Sequence, residues 1–146
     1  MIKIKVEAVL NPTEDLEKVK KAIKNIVDLD LRVVERYGRK YLVGESSDVR
    51  SLEPLFNRLR YDRILDTARS IMRGSTSGNL ITLNLSRTAA YAKHVSFIEE
   101  GEEVLGPIRL MIIVDDPEKF LDWIAPRTVR GKPIKSVRYE DLTSPD

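Results

Sequence analysis

The sequence predicts an α+β domain, a largely antiparallel sheet with helices packed on one face. Three observations carry this. In residues 2–10, Ile4, Val6 and Ala8 alternate with Lys3, Lys5 and Glu7, the period of a half-buried strand. Residues 31–37 and 40–45 read as two strands joined by Gly38-Arg39, and glycine first in a two-residue loop signals a type II′ hairpin. Between such segments, apolar residues recur at helical spacing, as in Leu16, Val19, Ile23 and Ile26. Hairpins and long connections mixed with amphipathic helices favour a sheet covered on one side. Its open face is then available to a partner.

The elements follow in order. Asn11-Pro12-Thr13-Glu14 predicts the first helix start, with Asn11 as cap, Pro12 in the first turn and Glu14 closing a capping-box-like arrangement. Glu14–Lys18 and Glu17–Lys21 are favourable i,i+4 pairs beside the apolar stripe. After the hairpin, Ser51-Leu52-Glu53-Pro54 opens a helix with Leu52, Leu55, Phe56 and Leu59 inward. A second helix is expected over residues 62–73, closing on Gly74, with Ile64, Leu65, Ala68, Ile71 and Met72 on its apolar face. Leu80–Leu85 is a strand, 87–93 a short helix and Ile108–Val114 a strongly apolar strand. Asp116-Pro117-Glu118 starts the last helix, with Phe120, Trp123 and Ile124 inward and Pro126 stopping it. The domain is expected to span 1–126. Residues 127–146 read as a basic, flexible tail.

Composition narrows the chemistry. The 146 residues are 33% charged and 42% hydrophobic, which suits one globular domain with a heavily solvated surface. There is no cysteine, so disulfides, thiolate catalysis, iron–sulfur clusters and Cys-ligated zinc are excluded. The opening Met1–Val6 stretch alternates like a strand rather than running apolar like a signal peptide, and no stretch is long and apolar enough to span a bilayer. A cytoplasmic protein without a membrane partner is expected.

The net charge of +2 conceals a local excess. Between Phe56 and His94 the chain carries Arg58, Arg60, Arg63, Arg69, Arg73, Arg87 and Lys93 against only Asp62 and Asp66. Such a block is the electrostatic footprint of a polyanion-binding face. With the apolar side of the second helix buried, Arg63, Arg69 and Arg73 project from the other side; an ordinary solvated face laced with ion pairs has the same pattern. Arg36-Tyr37-Gly38-Arg39-Lys40-Tyr41 places three cations and two tyrosines at a hairpin tip, suited to phosphates and to stacking on unpaired bases. Arg127, Arg130, Lys132, Lys135 and Arg138 add a basic C-terminal run.

Catalytic motifs are weaker. His94 is the sole histidine and reads as structural. Gly74-Ser75-Thr76-Ser77-Gly78 follows a helix and precedes a strand, the reverse of a phosphate-binding loop. Asp115-Asp116 reads as a strand end and a helix cap, and Glu99, Glu100, Glu102 and Glu103 around Gly101 as a solvated acidic turn. No catalytic residue, metal or cofactor is expected. A pocket gathering His94, Asp115 and Arg87 would argue for an enzyme.

Four segments resemble an uncharacterised archaeal family described as predicted RNA-binding, sometimes exosome-associated, proteins: Ser51-Leu52-Glu53-Pro54-Leu55, Arg63-Ile64-Leu65-Asp66-Thr67-Ala68-Arg69, Leu105-Gly106-Pro107-Ile108 and Asp116-Pro117-Glu118-Lys119-Phe120. The likeness extends to about Arg138. It implies a fold like that of the large-subunit ribosomal protein that binds five-S ribosomal RNA, and it carries no catalytic residues across. The expectation is a non-catalytic protein contacting structured or ribosomal RNA mainly through phosphates. Its candidate contacts are Arg36, Tyr37, Arg39, Lys40, Tyr41, Arg63, Arg69, Arg73, Arg87, Lys93, Arg127, Arg130 and Lys132. The alternative is a protein-interaction or scaffold module beside a nucleotide kinase or an RNA-processing assembly. A homodimer is compatible with either.

Overall fold

A computed structural model describes residues 1–99, 101–134 and 137–143. Strand β1 (Ile2–Leu10) lies inside a six-stranded sheet with β2 (Arg32–Arg36), β3 (Arg39–Ser46), β4 (Thr76–Ser77), β5 (Leu80–Leu85) and β6 (Ile108–Val114). The order is β2-β3-β1-β6-β5-β4, and every pairing is antiparallel. Alternation decides the faces. Ile4, Val6, Ala8, Leu42, Ile81, Leu83, Leu85, Ile108, Leu110, Ile112 and Val114 are buried on one side.

The helices cover that side and share one core with it. Helix α1 (Leu16–Lys24) contributes Val19, Ala22 and Ile23; α2 (Glu53–Tyr61) contributes Leu55 and Leu59; α3 (Leu65–Gly74) contributes Leu65, Ala68 and Met72. The five-residue α4 (Arg87–Tyr91) packs against α1 and buries Ala90. Helix α5 (Pro117–Ile124) buries Phe120, Leu121, Trp123 and Ile124. Each fully buried Leu, Ile or Phe contributes about 1.5–3 kcal/mol, so these stripes fix which face of the sheet is closed.

Strands β5 and β6 and the Asp116-capped start of α5 match the sequence reading; Asp116 accepts from Lys119 N at 3.1 Å. Other boundaries shift for local reasons. The β2–β3 loop is Tyr37-Gly38, both with positive φ (50° and 78°), a type I′ pattern rather than the expected type II′ turn at Gly38-Arg39. The glycine-first loop occurs instead at Gly78-Asn79, between β4 and β5. Helix α1 begins after Asp15, whose side chain accepts from Glu17 N at 2.9 Å. Asn11 and Glu14 form their own turn before it, with Asn11 N donating to Glu14 Oε1 at 3.0 Å.

Helix α3 starts at Leu65, because Arg63 takes a left-handed φ of 57° and separates it from α2. It ends at Gly74 without a left-handed cap; the Ser75 and Thr76 hydroxyls donate to Met72 O at 3.1 and 2.7 Å instead. Ile71, expected inward, is partly exposed. The short helix expected over 87–93 stops at Tyr91, and Lys93 has a φ of 65°.

The segment read from the sequence as a basic tail carries regular structure among its described residues. Residues 127–134 fold into a small hairpin of β7 (Thr128–Val129) and β8 (Lys132–Pro133), with Ile134 N donating to Arg127 O at 2.8 Å. Asp66 on α3 accepts from Thr128 N at 2.9 Å and from the Thr128 hydroxyl. Helix α6 (Tyr139–Thr143) follows, and Val137 and Leu142 pack partly buried against the core. Glu100 and Lys135 lie outside the described residues.

Candidate nucleic-acid interface

The sheet face away from the helices is built by the polar phase of the strands. Cross-strand register places Lys3, Lys5, Glu7 and Val9 of β1 with Arg39, Tyr41, Val43 and Glu45 of β3. On one side of them come Arg32, Val34 and Arg36 of β2; on the other come Arg109, Met111 and Ile113 of β6 and Leu80, Thr82 and Asn84 of β5. Apart from Val43, these side chains are exposed or half-buried. Strands about 4.8 Å apart and rising about 3.3 Å per residue make this a broad platform, roughly 14 Å from β2 to β6, large enough for several phosphates.

Its charge is one-sided. Lys3, Lys5, Arg32, Arg36, Arg39 and Arg109 face out beside Glu7 and Glu45. Arg36 donates to Glu7 Oε2 at 2.9 Å, and its guanidinium lies 5.4 Å from the centre of the Tyr41 ring. Arg109 donates weakly to Asn84 Oδ1 at 3.4 Å. Lys3, Lys5, Arg32 and Arg39 have no carboxylate within ion-pairing distance among the described residues. Sequence reasoning named only Arg36, Arg39 and Tyr41 on this face. Lys3, Lys5, Arg32 and Arg109 were missed, although strand alternation already put Lys3 and Lys5 opposite a buried row.

The hairpin tip adjoins the platform. Tyr37 is fully exposed at the turn, and Arg39 and Lys40 line a cleft of about 460 Å³ with Leu10, Asn11, Pro12 and Gly38.

The remaining predicted contacts do not join it. Arg69 is buried: α5 packs on α3, and Arg69 donates to Ala125 O at 3.2 Å and pairs with Glu118 and Asp122, each at 2.9 Å. Arg87 is equally buried, paired with Glu14 at 2.8 Å and donating to Gly106 O at 2.8 Å. Both guanidinium groups are engaged in these internal bonds and tie separate segments of the chain together. Arg73 is half-exposed and bonded to Glu118 at 2.5 Å.

Arg60, counted in the same basic block, is half-buried. It lies 3.4 Å from the Phe56 ring centre and donates to Trp123 O and Ile124 O at 3.0 and 3.2 Å, capping α5. Burial lowers its pKa to about 10, which leaves it charged at neutral pH. Arg60, Arg69, Arg73 and Arg87 are thus bonded to backbone carbonyls or to carboxylates of the protein itself.

Arg63 remains exposed on a second cleft of about 340 Å³ shared with Asp66, Thr128, Gly131 and Pro133. Arg127, Arg130 and Lys132 are exposed on or beside the β7–β8 hairpin, which docks on α3 through Asp66. Lys93 is exposed beyond α4. Arg63 thus lies beside the β7–β8 hairpin, apart from the sheet platform.

The three residues whose convergence would argue for an enzyme have three different partners. His94 Nδ1 lies 3.1 Å from Asp62 Oδ1, Arg87 pairs with Glu14, and Asp115 meets the amino terminus. Among the described residues no group of three or more His, Asp or Glu side chains is arranged to hold a metal. No described helix is long and apolar enough to cross a membrane. The acidic turn is partly structural, since Glu103 accepts from Ser86 Oγ at 2.7 Å and from Arg87 N at 2.9 Å.

Fold and surface together define the class: an α+β domain with one sheet face closed by helices and the other open and cationic. A family model described as RNA binding matches residues 3–114, and the chain belongs to that family. It is 42% identical over 136 residues to a UPF0201 protein of Aeropyrum pernix, covering 91% of each chain. It is 40% identical over 136 residues to one of Sulfurisphaera tokodaii, covering 92% of this chain and 94% of the relative. The crystal structure of a UPF0201 protein from Methanococcus jannaschii superposes with a TM-score of 0.80 at 32% identity, covering 91% of this chain and 99% of that one.

Proposed function

We propose that the protein binds structured RNA without catalysing a reaction on it, seating backbone phosphates on the open sheet face and at the β2–β3 tip. The observation that carries this reading is the set Lys3, Lys5, Arg32 and Arg39, cations without carboxylate partners on a face no described helix covers. The RNA-binding description of the family supports the same ligand class.

The chemistry of the face favours backbone over base recognition. Its middle is aliphatic, with Val9, Val43, Met111 and Ile113, and offers few groups to read base edges. Attraction to phosphates through flexible lysines and arginines releases counterions, so affinity should fall steeply with salt, with a log–log slope of about −0.7 to −0.9 per neutralised phosphate. A filter-binding titration with ribosomal RNA, repeated across salt concentrations, tests the reading. Tight binding at low salt with such a slope is expected. Absence of binding at low salt would overturn it.

A further inference from the structure

We infer that Tyr37 is a base-stacking probe, which makes the preferred ligand an RNA duplex carrying an unpaired nucleotide. This rests on the RNA-binding reading and adds a specificity element to it. Tyr41, Tyr61 and Tyr91 each have a cation over the ring: Arg36 at 5.4 Å, Arg58 at 4.8 Å and Lys21 at 5.5 Å. Among the described residues Tyr37 has none, and its side chain is fully exposed.

The position makes this exposure informative. Tyr37 sits at φ 50° in a type I′ turn, where asparagine, aspartate or glycine is favoured and a bulky side chain is strained. A ring that packs on nothing and strains its own backbone does not serve the fold, and strain of this kind points toward a functional role. Its flanks supply Arg36, Arg39 and Lys40. An unpaired base stacked on the ring would have its adjoining phosphates within the field of Arg39 and Lys40, which line the neighbouring cleft. A fully paired duplex presents no free base face for the ring.

The test uses the full chain and two RNA duplexes of identical sequence, one fully paired and one carrying a single bulged 2-aminopurine. The wild type should bind the bulged duplex more tightly, on the order of tenfold, and quench the probe on stacking. Tyr37→Phe should retain both effects. Tyr37→Asn suits the turn, so it should fold, and it should lose both the quenching and the preference for the bulged duplex. If Tyr37→Asn still quenches and prefers the bulge, the inference is overturned while RNA binding stands. If the wild type binds neither duplex at low salt, the RNA-binding reading falls as well.

Discussion

Arg36 reaches diagonally across β3 to Glu7, 2.9 Å from its carboxylate, with the Tyr41 ring beneath the guanidinium. The pair is half-exposed on the arginine side, so its contribution to stability should be within about 1 kcal/mol. Its larger effect is electrostatic: it neutralises one cation of the platform. Glu7→Gln should therefore raise RNA affinity at low salt and steepen the salt slope by roughly one phosphate contact. Anisotropy titrations at several salt concentrations, beside a denaturation curve, check both statements.

The buried Arg87–Glu14 pair should behave in the opposite way. Both side chains are 8% exposed, and Glu14 also holds Asn11 through its backbone N–H and side-chain amide. Arg87→Ala leaves that carboxylate without its countercharge and should cost about 3–5 kcal/mol. Replacing the pair together, as Arg87→Met with Glu14→Leu, should cost much less. Urea denaturation distinguishes these outcomes from a surface role, under which both variants would match the wild type.

Asp66 makes docking of the β7–β8 hairpin pH-dependent. Its bonds from the Thr128 hydroxyl and N–H hold its carboxyl below the ordinary carboxylate range, with a smaller contribution from the Arg69 charge. A depressed folded pKa means the docking contribution is fully present above the unfolded value of about 3.9 and is lost as pH falls through the folded one. The Thr128 amide resonance should be steady from neutral pH to about 5 and shift only in more acidic solution. Asp66→Asn should abolish that acid transition.

Gly44 marks a close backbone approach over the sheet. A Cβ there would lie 2.6 Å from Asp30 O and closer still to the Leu29 side chain, where the α1–β2 connection crosses β3. Gly44→Ala should destabilise by about 1–3 kcal/mol or more, since a backbone carbonyl cannot swing aside like a side-chain tip. Thermal denaturation reads this directly.

Much of the fold was legible because alternation and capping are local. β5, β6 and the Asp116-Pro117 helix start follow from a few adjacent residues. The hairpin turn slipped by one position because propensity places glycine at the strained site, whereas Tyr37 occupies it as well. The basic block is dispersed in the fold for a different reason. Local sequence does not distinguish a guanidinium that caps α5 from one facing solvent; Arg60 and Arg69 reach carbonyls at the end of α5, a helix distant in the chain. The open face was more accessible than its reading suggested, since Lys3 and Lys5 share the polar phase of β1.

The most direct test compares two charge-matched double variants for RNA affinity: Lys5→Glu with Arg32→Glu on the sheet, and Lys20→Glu with Lys24→Glu on α1. The account predicts that the sheet variant loses most of its affinity and that its salt slope falls by about two phosphate contacts, while the helix variant changes little. Equal losses in the two variants, or none in the sheet variant, would contradict it.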